Sequence, residues 1–245
     1  LVESTTQGLP NNLLSPAWLQ SDIGQHFVVS LVHLLCATTN IVLSTRCVKL
    51  IERILGVFDR HAQIAAIRLC FERDFELGSC ELEGMSERLN VFRAWLVDWY
   101  RGELSREQRE KADQSNQSAY LSFHISVLSH AARMESAETS NLLVQYQRHL
   151  ATLLLIRYIS SIACLSPEYT SSLNTTYLEP MGRGIQLSRA HYQLEINKIQ
   201  NDAENTKTSR ELLDGKCDFL RGALSRLDIL AHWLAKVNEV LFGKA

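Results

Sequence analysis

From Phe27 to Leu241 the apolar residues return every three or four positions, and only 4 prolines and 11 glycines punctuate 245 residues. That spacing places apolar side chains along one face of a helix. A sandwich or barrel of short strands needs far more of both breaker residues. The chain is therefore expected to be all-α: about nine helices in orthogonal, bundle-like packing, with no strand. Residues 1–15 read as a polar tail and 16–245 as a single helical domain. Hydrophobic residues at 46% suffice for a packed core.

Helix limits follow from caps and breakers. Ser15 with Pro16, or else Asp22, starts the first amphipathic run, which carries Phe27, Val28, Leu31, Leu34 and Leu35. Ser44 is expected to cap a second helix bearing Val48, Ile51, Ile54 and Phe58. Ile64, Ile67 and Phe71 mark a third. The stretch from Phe75 to Gly84 breaks the period and reads as a loop, after which Leu89, Phe92, Leu96, Trp99 and Tyr100 form a stripe that Gly102 is expected to end. Ser105 with Gln108 then resembles a capping box. Asn141–Leu165 is apolar on several faces, as in a central helix. Ser166-Pro167 begins a new helix, and Pro180, Gly182 and Gly184 predict a break. Asn201–Ser209 reads as a loop, with Thr208 and Glu211 capping the last helix.

Charge is nearly balanced, with 25 basic and 27 acidic residues. A nucleic-acid surface normally carries a basic excess, so direct nucleic-acid contact is not expected. No run of 18 clean apolar residues occurs, so no membrane span is expected. Six scattered cysteines in apolar runs read as reduced, buried thiols of an intracellular protein. A start at Leu1 rather than Met reads as a domain cut from a longer parent.

The chemistry-bearing patterns are sparse. His33-x-x-Cys36 puts two metal ligands on one helix face, but a zinc site needs about four and no second pair matches it. Gly182-Arg183-Gly184 lacks the preceding strand of a phosphate loop. No nucleophile and base occur in a recognisable context. The expectation is a non-enzyme without cofactor or metal, His33 and Cys36 being the candidates should a metal be present. Two helices are richer in apolar residues than one buried face requires: Phe27–Leu35, and the last, with Leu227, Ile229, Leu230, Trp233 and Leu234. Such helices suit a two-fold interface between copies of the chain.

The order of features over Phe27–Leu104 resembles the telomere-repeat-factor homology domain. HFVVSLVHLLCA matches its opening apolar helix and RCVKLIERILGVF its second. IAAIRLCFERDFELGSCELE is similar to its third helix with the acidic, cysteine-bearing loop, and LNVFRAWLVDWY to the helix beyond. The resemblance covers about a third of the chain and implies a homodimerisation and protein-docking module of a nuclear, telomere-associated (shelterin-type) complex. Dimer residues would then be Phe27, Leu31, Leu34, Ile51, Leu227 and Leu234. A groove with Phe71, Phe75, Leu82, Leu89 and Phe92 would dock short apolar peptides of partner proteins. DNA binding would come from outside this chain or from a partner. The alternative is a helical regulatory domain of a transcription factor that answers to a small ligand.

Overall fold

The computed structural model describes residues 17–18, 21–72, 84–110, 125, 127–129, 131–132, 139–162, 165–205 and 210–243. Among the described residues there are nine α-helices, one π-helical segment and no strand, so the all-α reading holds. The chain divides into two compact units, residues 1–96 with 111–131, and residues 97–110 with 132–245.

In the first unit α1 (Asp22–Ala37), α2 (Ile41–Val57) and α3 (Arg60–Glu72) pack with the first part of α4 (Met85–Glu110). Ser21, not Asp22, caps α1: its Oγ accepts from the Gly24 N–H at 3.2 Å. Asn40, not Ser44, caps α2, its Oδ1 accepting from the Val42 and Leu43 N–H groups. Both satisfy donors that a helix start leaves unpaired. The core is built from Val32, Leu35, Ile54, Phe58, Ile67 and Leu96. The buried Gln63 amide closes the end of α2, donating to the Leu55 and Phe58 carbonyls at 3.0 and 3.2 Å.

Trp18 packs against Phe27 and Phe58, with ring centroids 5.9 and 5.7 Å apart. Its carbonyl oxygen lies where only glycine fits, because a Cβ on Gly24 would stand 2.1 Å from it. Gly24→Ala is accordingly expected to destabilise the chain by about 1–3 kcal/mol through displacement of the Trp18 segment. Equal thermal melting of the native chain and the variant would contradict that packing.

The second unit holds the rest of α4, then α5 (Thr139–Val144), α6 (Tyr146–Ile162) and α7 (Pro167–Leu173). The π segment Asn174–Leu178 leads into α8 (Glu179–Asn205), and α9 (Arg210–Phe242) closes the chain. Helix α4 does not stop at Gly102. It continues to Glu110, and the Ser105 hydroxyl donates to the Arg101 carbonyl inside the helix instead of capping a new one. Ser166 caps α7 with Pro167 in its first turn, as expected. Pro180 ends no helix: the backbone stays helical from Pro167 to Asn205, and the π segment Asn174–Leu178 immediately before Pro180 is where the α-helical ladder is altered. Gly182-Arg183-Gly184 is helical, and α8 extends through Asn201 to Asn205. Thr208 lies outside the described residues, as do Ser15 and Pro16.

Helices α8 and α9 run antiparallel. A Cβ on Gly182 would lie 3.6 Å from Leu234, and seven residues on Arg189 pairs with Asp228. Helix α6 lies along α9, with the Arg226 guanidinium 5.9 Å from the Tyr146 ring centroid and Arg157 5.3 Å from that of Trp233. Leu153, Ile156, Leu227, Leu230 and Val237 form the core there.

Candidate functional site

In the first unit α4 holds two other helices by their carbonyl ends. The Arg88 Nε donates to the Cys36 carbonyl at 2.6 Å, in the last turn of α1. The Arg93 Nε donates to the Cys70 carbonyl at 3.2 Å, in the last turn of α3. Each guanidinium satisfies orphan acceptors and faces the negative end of a helix dipole. Arg93 also stands 5.7 Å from the centroid of the Phe71 ring. The four described cysteines, Cys36, Cys47, Cys70 and Cys217, are free and buried. Burial pushes the Cys36 thiol up to about 11 and the Cys70 thiol up to about 12, with the neighbouring arginines acting the other way. At neutral pH these sulfurs stay protonated and are poor nucleophiles and ligands. Cys36 is buried and His33 half-buried, and no group of three or more His, Cys, Asp or Glu able to hold a metal forms among the described residues.

The docking candidates separate. Phe71 is half-buried, whereas Leu89 and Phe92 lie in the core of the first unit, Phe92 stacked on Trp95 at 5.7 Å between centroids. Phe75 and Leu82 fall outside the described residues. Phe92 borders a cavity of about 20 Å³ lined by apolar side chains, among them Val28, Ile51, Phe58 and Leu96. That is room for about one water, with no polar group to hold it.

Of the dimer candidates in the first unit, Phe27 and Leu31 are half-buried, Ile51 is buried and Leu34 is 46% exposed. Leu34 shares its exposure with Ile41, Val42 and Leu43 at the start of α2. In the second unit Leu227 and Leu234 are buried by their own protomer, packed in the core beneath α8. The open apolar side chains of that unit are others: Val144 on α5, Leu187 and Leu194 on α8, and Phe219, Ile229, Val240 and Phe242 on α9.

A polar cluster that the periodicity did not reveal occupies the second unit. Gln145, Arg148, His149 and Thr152 are buried at the start of α6, with Tyr177 of the π segment and Ser188 of α8 also buried. The His149 Nδ1 and the Tyr177 hydroxyl are hydrogen-bonded at 3.1 Å, and the Thr152 hydroxyl donates to the Arg148 carbonyl at 2.8 Å. Burial, reinforced by the Arg148 charge, holds the His149 imidazole down at about 3. Burial also pushes the Tyr177 phenol far above its ordinary range, Arg148 and Thr152 opposing. The π turn widens the backbone at the residue that carries this phenol. The signal was present in the sequence: Arg148, His149 and Thr152 interrupt the apolar run on positions that an all-round apolar helix must bury. With the imidazole neutral and the phenol protonated at neutral pH, the pair is a structural hydrogen bond within the core.

No described helix is long and apolar enough to cross a membrane. In comparisons with known proteins, the chain matches no family model and no curated protein.

Proposed function

We propose that the chain is a non-catalytic helical module for homodimerisation and protein docking. The observation that carries this is the set of large apolar side chains left open on otherwise well-packed helices. Ile41, Val42 and Leu43 follow one another at the start of α2 in one unit, with Leu34 open near the end of α1, and Leu187, Leu194, Phe219 and Ile229 lie along α8 and α9 in the other. Adjoining apolar side chains at a surface are a feature of interaction sites. The buried Cys36 and Cys70 thiols, the His149 imidazole and the Tyr177 phenol tell against acid–base chemistry at neutral pH, being held in their uncharged forms far from their ordinary ranges.

The resemblance over Phe27–Leu104 supports the finer reading, a nuclear module of a telomere-associated complex that recruits partners through short apolar peptides. In this reading Phe71, half-buried at the end of α3, is the docking candidate with area to offer. A ligand-responsive regulatory domain is less well supported, because the first unit's cavity of about 20 Å³ would have to open many-fold to hold an effector.

The test is the solution mass of the native chain, by light scattering coupled to size exclusion over a range of concentrations. Homodimerisation predicts twice the 27.8 kDa chain mass. A single-chain mass up to about 100 μM would remove the homodimer from this reading, since association follows concentration.

A further inference from the structure

The start of α2 is apolar on every side. From Thr39 to Leu43 each side chain is exposed, Ile41 at 80%, Val42 at 58% and Leu43 at 40%. Consecutive helical residues project about 100° apart, so these three surround the helix end. Open apolar groups of this kind mark contact with a protein or a membrane. The backbone of the corner makes its hydrogen bonds internally. The Thr38 N–H donates to the Leu34 carbonyl at 3.1 Å, and the Asn40 N–H to the Thr38 hydroxyl at 3.2 Å. Asn40 accepts from the Val42 and Leu43 N–H groups through its side chain and from the Ser44 N–H through its carbonyl. Donors paired in this way no longer need water, which is what entry into an apolar medium demands.

Behind the apolar end stands a line of cations. Val42, Arg46, Lys49 and Arg53 follow at four- and three-residue steps and share one side of α2. All are exposed, and the buried Cys47, Ile51 and Ile54 lie on the opposite side. Among the described residues none of these three cations is ion-paired, although Arg189 and Arg221 on other helices are. The one acidic residue of α2, Glu52, lies on the flank of the line. The line calls for an anionic partner. A polypeptide laid along it would cover one side of α2 and leave the far sides of the apolar end in water. A lipid surface surrounds whatever enters it. An apolar end with cations one turn behind matches the order of acyl chain and anionic headgroup.

Going beyond the docking reading, we infer that the α1–α2 corner inserts end-on into the surface of an anionic phospholipid membrane, with Ile41, Val42 and Leu43 at the acyl boundary and Arg46 at the headgroups. Along the helix Arg46 is about 6 Å from Val42, Lys49 about 10 Å and Arg53 about 16 Å. The surface potential fades over about 8–10 Å, so the three contribute in falling order. This takes the corner out of the protein-docking surface and leaves the open residues of α8 and α9 to partner chains.

Co-sedimentation of the full chain with vesicles tests this, using phosphatidylcholine alone and phosphatidylcholine with about one-third phosphatidylserine. Binding is expected to the mixed vesicles only, and to weaken as salt rises. Ile41→Ser/Val42→Ser should lower it at least about tenfold with the melting temperature retained, since both side chains are exposed. Arg46→Gln should lower it about fivefold, Lys49→Gln less and Arg53→Gln least. A native chain that stays off the mixed vesicles overturns the inference and leaves the docking module, with its own mass test, standing. Binding that survives Ile41→Ser/Val42→Ser and falls equally with each of the three cations overturns it too. The line on α2 is then a track for an extended polyanion, such as an acidic segment of a partner protein.

Discussion

Between pH 7 and pH 4.5 the second unit is expected to lose about 2.5 kcal/mol of stability through His149 alone. The folded imidazole is held at about 3 by burial and by Arg148, against an ordinary value of 6.5. Between those values the unfolded chain binds a proton that the folded chain cannot. The stabilisation is complete above about pH 6.5 and fades as pH falls towards 3, reaching about 4–5 kcal/mol in full. Denaturant unfolding at the two pH values, on the native chain and on His149→Gln, separates this from the general effect of acid. The glutamine amide can still bond the Tyr177 hydroxyl but does not titrate. The pH slope of the native chain should exceed that of the variant by the amount given. Parallel slopes would mean that His149 is not buried as described. Tyr177→Phe should lower stability at pH 7 by about 1–3 kcal/mol, since it leaves a buried imidazole nitrogen without its partner.

The helical period was legible because burial along α1, α2 and α9 repeats every three to four residues, as the apolar residues do. Helix limits were less so, and for reasons that can be named. Asn40 and Ser44 are both good caps, and what separates them is the apolar run Ile41–Leu43, which is helical although exposed. Gly102 costs a helix about 1 kcal/mol, yet Tyr100 and Leu104 are buried on either side of it and hold the backbone helical. Pro180 lies inside a continuous helical run, and that a π turn just before it would accommodate the ring was not written in the local sequence. The interface candidates failed to separate for a related reason. Period alone says that Leu227, Leu234 and Phe219 are apolar positions on α9. Only the packed structure shows that the first two are buried and the third is exposed. The His149–Tyr177 pair joins residues 28 apart through a π turn, a contact that no local rule predicts.

Leu227→Ala should lower stability by about 3–5 kcal/mol, because it empties a fully buried site. The side chain lies in the core of the second unit, on the buried line of α9 with Leu230, Leu234 and Val237. Truncation leaves a cavity that rigid helices close only in part. For a chain of this length the melting temperature should fall by very roughly 6–15 °C. Leu227→Arg should do worse and unfold the unit, since no carboxylate is buried among the described residues to meet the new charge. Loss of dimer mass in that variant would therefore report unfolding rather than a broken interface. Phe219→Ala, eight residues earlier on the same helix, should change the stability of the single chain by less than about 0.5 kcal/mol. Thermal melts of the two alanine variants, followed by circular dichroism at concentrations where only single chains persist, measure the contrast. If Phe219→Ala proves the more damaging there, the assignment of covered and open faces on α9 is wrong. If the order holds, Leu227 carries the fold of the second unit and Phe219 contributes nothing measurable to it.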